Sequence, residues 1–239
     1  MKAIVLAAGL GTRLGGLTRD TPKPMLDAGG RPILDLILGH LASCGFTDVV
    51  INLHFRPEII RSHIGDGSRF GLRVAYSPEP SLLGTAGALR AAAGLLRGGP
   101  FLVQYGDVVT DMDLGALLRR HREGEALATL VLHRRAGSNS AVRLEADGRI
   151  TAFLERPTEE ERRGIEAPWV NSGLCACSPG ILDRIPEGPA DLPRDVFVPL
   201  ASEGLLRGVP LEGYRCAVDS PARLEELRAA LREGRIRFA

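Results

Sequence analysis

Apolar positions along the chain fall into short unbroken runs separated by stretches with helical spacing. Residues 3–7 form one uninterrupted apolar run, the pattern of a strand buried on both faces. Pro32 then opens a segment with Ile33, Ile37, Leu41 and Cys44 on one side, and Gly45 stops it; this predicts a helix. Residues 48–53 predict a second strand, 56–64 a helix, Gly65-Asp66-Gly67 a turn, and 72–76 a third strand. An alanine-rich helix is predicted over 85–96, followed by an apolar strand over 101–105 that ends in Gly106-Asp107. Further on, 128–133, 141–144 and 149–154 read as strands with little helix between them, and Asp147-Gly148 supplies a hairpin turn. Ser220-Pro221 starts a last helix with Leu224, Leu227 and Leu231 on one face.

Strand–helix alternation at this spacing predicts an α/β fold: a doubly wound, Rossmann-like mixed sheet, with an inserted antiparallel lobe from the second half. At 239 residues the chain suits one such domain, its first part ending at about residue 125 and its second beginning at about 126. No internal repeat, low-complexity segment or flexible linker breaks it.

Composition narrows the function classes. A formal net charge of +1 gives neither a nucleic-acid stripe nor an acidic tail. No apolar run approaches the ~20 residues of a membrane span, and the apolar start breaks at glycine, unlike a leader peptide. The four cysteines, at 44, 175, 177 and 216, have no zinc-like spacing, so reduced thiols are expected. These features predict a soluble, cytoplasmic protein that binds neither nucleic acid nor membrane; homo-oligomerisation stays open. The chain holds two lysines, Lys2 and Lys23, against 28 arginines. That contrast singles out position 23 as one where a compact ammonium suits better than a planar fork.

The chemistry begins where the first strand runs into Gly9-Leu10-Gly11-Thr12-Arg13. Glycines there let backbone amides approach a phosphate. A dinucleotide fingerprint would need glycine at position 14, which is Leu14, and an acid where the second strand ends, which is Leu53-His54. A Walker loop would need a Gly-Lys pair, and the chain has none. What remains is a glycine loop with cations at Arg13, which can fork onto phosphate oxygens, and at Lys23, held between Pro22 and Pro24. Two carboxylates at strand ends, Asp107 and Asp219, can hold one Mg²⁺ (or Mn²⁺) with phosphate oxygens completing its shell. Asp219, followed by Ser220-Pro221, has a competing reading as a helix-start residue, but the metal reading is preferred.

Residues 6–25, Leu-Ala-Ala-Gly-Leu-Gly-Thr-Arg through Pro-Lys-Pro-Met, resemble the signature of the sugar-1-phosphate nucleotidyltransferases, with Gly16 where the family often has proline. The resemblance runs to about residue 235 and is strongest before 110. It implies a nucleotide-binding first part and a sugar-phosphate-binding second part. It implies Arg13, Lys23 and Asp107 as catalytic groups, and nucleotide contacts from Leu6, Ala8, Gly9, Gly11, Thr12, Arg13, Glu79, Gly84 and Thr85. It implies Asp107 and Asp219 as metal ligands, and Glu155, Arg156 and Asn171 as sugar-phosphate contacts. Arg156 stands where the family has lysine, and Asn139-Ser140 where it often has Tyr-Gly.

Glu79 offers only acceptors, so guanine, with two donors on one edge, is the preferred base; uracil or thymine, with one, also fits. The expected substrates are GTP with a mannose or heptose 1-phosphate. Uridylyl, thymidylyl or cytidylyl transfer, and a non-catalytic paralogue, are the alternatives. A hexapeptide-repeat acyltransferase domain is not expected.

Overall fold

The computed structural model describes residues 1–135, 138–165 and 168–238. Its strands are β1 (Lys2–Leu6), β2 (Asp48–Leu53), β3 (Arg73–Pro78), β4 (Phe101–Tyr105), β5 (Val108–Thr110), β6 (Ala128–His133), β7 (Ser140–Leu144), β8 (Ile150–Glu155), β9 (Val170–Cys177), β10 (Leu206–Pro210) and β11 (Arg215–Ala217). Its helices are α1 (Ile33–Ser43), α2 (Pro57–Ile64), α3 (Gly84–Ala91), α4 (Ala93–Leu96), α5 (Leu114–Arg122), α6 (Glu159–Arg163), α7 (Val198–Ser202) and α8 (Pro221–Arg232). The fold is mixed α/β on a mostly parallel sheet, as the alternation predicts. The chain forms two compact units.

The first unit contains Met1–Leu82, Gln104–Ala116 and the chain from Glu212 onward. Within it β1, β2 and β3 pair in parallel, Leu6 opposite Asn52 and Asn52 opposite Ser77. Parallel neighbours need a crossover, and α1 and α2 provide two. Ala3, Ile4 and Val5 of β1 are fully buried, which explains the unbroken apolar run. Pro32 precedes α1, and beyond its last turn Gly45 takes a φ of 82° that stops it. Ser220 caps α8 by accepting a hydrogen bond from the Arg223 amide (3.3 Å). The buried face of α8 is Leu224, Leu227 and Ala230, with Leu231 half-buried.

The second unit contains Leu83–Val103 and Leu117–Leu211. Here β10 runs parallel to β6, β6 antiparallel to β9, and β7 and β8 form the predicted hairpin, with Gly148 at φ 82°. Cys175 and Cys177 share a buried face of β9 with their sulfurs 3.6 Å apart, and all four cysteines are free thiols.

Two expectations differ from the structure. The helix predicted over 85–96 is two helices, because the ladder slips at Ala92: its amide still reaches Ala88, but the Leu95 amide reaches back only three residues, to Ala92 (2.9 Å). The second half holds more helix than its pattern indicates, including α6, α7 and a π-helical turn at Leu192–Phe197. No helix among the described residues is long and apolar enough to cross a membrane.

Candidate functional site

In the first unit β1 delivers the chain into the glycine loop. Gly9, Leu10, Thr12 and Arg13 are exposed, while Leu6 is half-buried and Ala8 buried. Gly11 adopts φ 68°, and its carbonyl accepts a hydrogen bond from the Thr18 hydroxyl (2.9 Å). A Cβ on Gly11 would lie 3.0 Å from the Thr18 methyl and 3.3 Å from the Lys23 Cβ. Both the backbone sign and the crowding therefore call for glycine there.

Lys23 opens a short 3-10 turn between Pro22 and Pro24. Its ammonium forms an ion pair with the Asp107 carboxylate, and the two side chains are only 13% and 23% exposed. Asp107 lies in the tight link between β4 and β5. The preceding Gly106 donates to the Leu6 carbonyl at 2.9 Å, and a Cβ on it would come within 2.7 Å of that same oxygen. The β5–β11 ribbon then carries the chain back: Ala217 pairs with Val108, and the Val218 amide donates to the Asp107 carbonyl (2.9 Å). Asp219 follows directly. The helix-start duty that competed for Asp219 belongs to Ser220.

Thus Gly11, Lys23, Asp107 and the backbone leading to Asp219 come together. Among the described residues no group of three or more His, Cys, Asp or Glu could hold a metal. Two carboxylates are nonetheless an ordinary protein share for Mg²⁺, which keeps water and substrate phosphates in most of its six positions.

Glu79 is not the solvated loop residue its position allows for; it is 4% exposed. Its carboxylate accepts from the Asn52 amide Nδ2 (2.8 Å), its amide donates to the Leu53 carbonyl (2.7 Å), and its carbonyl is bonded to His54 Nδ1 (2.8 Å). Asn52 is a residue the sequence reading passed over. Its signal was present, a polar side chain in the apolar run of β2, but nothing in the spacing names its partners.

In the second unit Gly84 and Thr85 open α3. Gly84 has φ 74°, and a Cβ on it would lie 2.4 Å from the Ala190 carbonyl. That carbonyl accepts from the amides of Ala86 (2.8 Å) and Gly87 (3.1 Å), and the Thr85 amide faces Asp191 (3.3 Å). The first turn of α3 is thus bonded to the 190–192 segment, which accounts for the glycine.

Glu155 ends β8 opposite Ser140, with Arg156 next to it, its Nε 3.7 Å from the Glu155 carboxylate. Arg156 is 81% exposed and holds a left-handed φ of 50°, a conformation that non-glycine residues take up at a cost. Burial pushes the Glu155 carboxyl above its ordinary range; Arg156 opposes this, Asp191 adds to it, and Arg194 opposes it. Neither Asp191 nor Arg194 was marked by the sequence. The Ser140 hydroxyl accepts from the Asn171 amide (2.9 Å), and Asn171 Oδ1 accepts from the Gly173 amide (3.1 Å). The Asn139-Ser140 pair therefore meets all three residues: Ser140 lies opposite Glu155 and bonds the Asn171 backbone amide, and the Asn139 carbonyl accepts from the Arg156 amide. Trp169 is half-buried beneath the Arg134 guanidinium, 3.9 Å from the ring centre.

The sequence pattern of the family described as nucleotidyl transferase matches residues 2–194. A mannose-1-phosphate guanylyltransferase of Mycobacterium tuberculosis is 35% identical over 209 residues, 84% of this chain and 56% of that protein. An N-acetylmuramate alpha-1-phosphate uridylyltransferase of Neisseria meningitidis is 50% identical over 117 residues, 48% of this chain and 51% of that protein. The chain thus spans about half the length of these curated relatives. A solved structure titled as a putative glucose-1-phosphate thymidylyltransferase from Bacillus anthracis, 21% identical, superposes with a TM-score of 0.86, covering 100% of this chain and 97% of that one. That last likeness fixes the fold; with the match over residues 2–194, the chain belongs to the nucleotidyl transferase family.

Proposed function

We propose that the chain transfers a nucleotidyl group from a nucleoside triphosphate to a sugar 1-phosphate, releasing pyrophosphate. The observation that carries this reading is the ion pair between Lys23 and Asp107 beside the glycine loop. It gathers a compact cation and a carboxylate where a triphosphate would lie. A sugar 1-phosphate oxygen attacks the α-phosphorus in line; it is already anionic, so no general base is required. Catalysis is then positioning and charge neutralisation.

The backbone of Gly9, Gly11 and Thr12, together with Arg13, holds the triphosphate, and Leu6 and Ala8 flank the nucleoside. Lys23 has three donors, so it can keep Asp107 while directing another proton to an α-phosphate oxygen as that phosphorus becomes five-coordinate. Asp107 and Asp219 would hold Mg²⁺ or Mn²⁺, which when bound supplies neutralising charge to the phosphates. Arg156 takes the sugar phosphate, and Glu155 and Asn171 take sugar hydroxyls.

Glu79 reads the base. A carboxylate accepting from two donors on one edge favours guanine, and similarity to the mycobacterial guanylyltransferase supports GTP with mannose 1-phosphate; a heptose 1-phosphate is the other acceptor of this reading. UTP is the second reading, favoured by the 50% identity to the neisserial uridylyltransferase.

The test is pyrophosphate release by Lys23→Ala and Asp107→Asn with Mg²⁺ present. Each is expected to lose about 100-fold or more in turnover, while folding as the parent does by circular dichroism. Undiminished turnover in Lys23→Ala would reject the assignment.

A further inference from the structure

We infer that Asn52 is a positioning residue for base selection: it locks the aim of the Glu79 carboxylate to the start of the glycine loop. This rests on the reading of Glu79 as the group that meets the base. Asn52 is the single polar side chain in the run Val49-Val50-Ile51-Asn52-Leu53, and it is 3% exposed. A buried amide in such a place is costly unless both its ends are bonded. Both are. Its Oδ1 accepts from the Ala7 amide at 2.6 Å, and its Nδ2 donates to Glu79 Oε1 at 2.8 Å.

Chemistry leaves one orientation for this amide. The Ala7 amide only donates, and a carboxylate oxygen only accepts, so the oxygen of Asn52 must face Ala7 and its nitrogen must face Glu79. No other side chain of this size serves both. Aspartate would accept from Ala7 but confront Glu79 with a like charge. Alanine would leave both partners without it.

The two partners belong to different tasks. Ala7 is the residue after β1, immediately before Ala8 and Gly9, so its amide sets where the phosphate-facing loop departs. Glu79 follows β3, and its backbone is clamped to the end of β2 through Leu53 and His54. Through Asn52, one carboxylate oxygen is pinned in a direction referred to that loop. Hydrogen-bonded selection between bases needs such a fixed acceptor, because a donor on the wrong edge is rejected only if the acceptor cannot swing to meet it. A purely structural bridge would instead only hold β1, β2 and the chain after β3 together.

The experiment measures dissociation constants for GTP, UTP, dTTP, CTP and ATP with MgCl₂ on the full chain, by titration calorimetry. The variants are Asn52→Asp, Asn52→Ala and Glu79→Gln. The readout is the ratio between the best and second-best nucleotide, which does not depend on the folded fraction. Both Asn52 variants are expected to cut that ratio by about tenfold or more, and Glu79→Gln to cut it as well. Wild-type ratios in the Asn52 variants alongside a collapsed ratio in Glu79→Gln would overturn the inference and leave the Glu79 reading intact. An unchanged ratio in Glu79→Gln, or no preference in the wild type, would remove the Glu79 reading and this inference with it. Should Asn52→Ala not fold, Asn52→Asp, equal in size, decides the matter alone.

Discussion

Lys23 shows how much one side chain can be asked to do by its neighbours. Flanking prolines restrict its backbone, Gly11 leaves room for its stem, and its ammonium meets a carboxylate 84 residues further along the chain. A chain with 28 arginines and, besides this one, a single lysine at position 2 keeps lysine here because a point charge with three rotatable donors can serve Asp107 and a phosphate together. Lys23→Arg is therefore expected to lose about tenfold or more of turnover with little change in thermal midpoint; pyrophosphate release at wild-type rate would mean that charge alone suffices. Glu155 carries a pH dependence whose sign follows from its raised pKa. The folded state holds its proton more tightly than the unfolded state, so its favourable contribution is full below the usual value of 4.5 and is lost as pH rises through the folded value. Thermal melts should show Glu155→Gln gaining on the parent as pH increases from 4.5 upward, and a gap that does not vary with pH would contradict this. Lys23 and Asp107 were legible in the sequence because each sits in a local motif. Asn52 was not, since its partners lie 45 and 27 residues away and no spacing rule joins them. Ser140 was legible only as a departure from a pattern, although its hydroxyl holds the Asn171 amide.

Elements are positioned by close approaches that a pattern of apolar residues cannot express. The crossing of the Gly106-Asp107 link over the end of β1 has no room for a side chain, whereas nothing lies within 4 Å of a Cβ placed on Gly9. Gly106→Ala is accordingly expected to cost about 1–3 kcal/mol in stability, and Gly9→Ala to stay within about 0.5 kcal/mol. Denaturant midpoints distinguish the two, and equal costs would show that the Leu6–Gly106 contact yields easily. Strands β1 to β4 and helix α1 were read close to their observed ends, because each buries a long enough run to display its period. The stretch ahead of Asp219 was read as a strand end, but β5 and its pairing with β11 were missed, because three-residue strands are too short to show a period or a partner. The interruption at Ala92 was missed because Ala91, Ala92 and Ala93 all favour helix, and the local weakening, Gly94, stands past the break.

At the scale of the whole chain, sequence order and spatial grouping part company. The first unit is assembled from three separated segments, and its candidate phosphate-handling residues come from all three: the glycine loop and Lys23, then Asp107, then Asp219. The second unit brings Glu155, Arg156 and Asn171 to the Asn139-Ser140 pair. Alternation of strands and helices announced the α/β class, yet it cannot announce which distant segments close a unit, since that depends on pairings such as Ala217 with Val108. What this assembly amounts to chemically is decided by its product. The direct measurement incubates the chain and Mg²⁺ with five nucleoside triphosphates, each against mannose, glucose, N-acetylmuramate and heptose 1-phosphates, and reads products by mass. A nucleoside diphosphate sugar with equimolar pyrophosphate, from at least one pair and abolished in Asp107→Asn, is the predicted result; hydrolysis of the triphosphate without sugar in the product, or no product from any pair, would contradict nucleotidyl transfer.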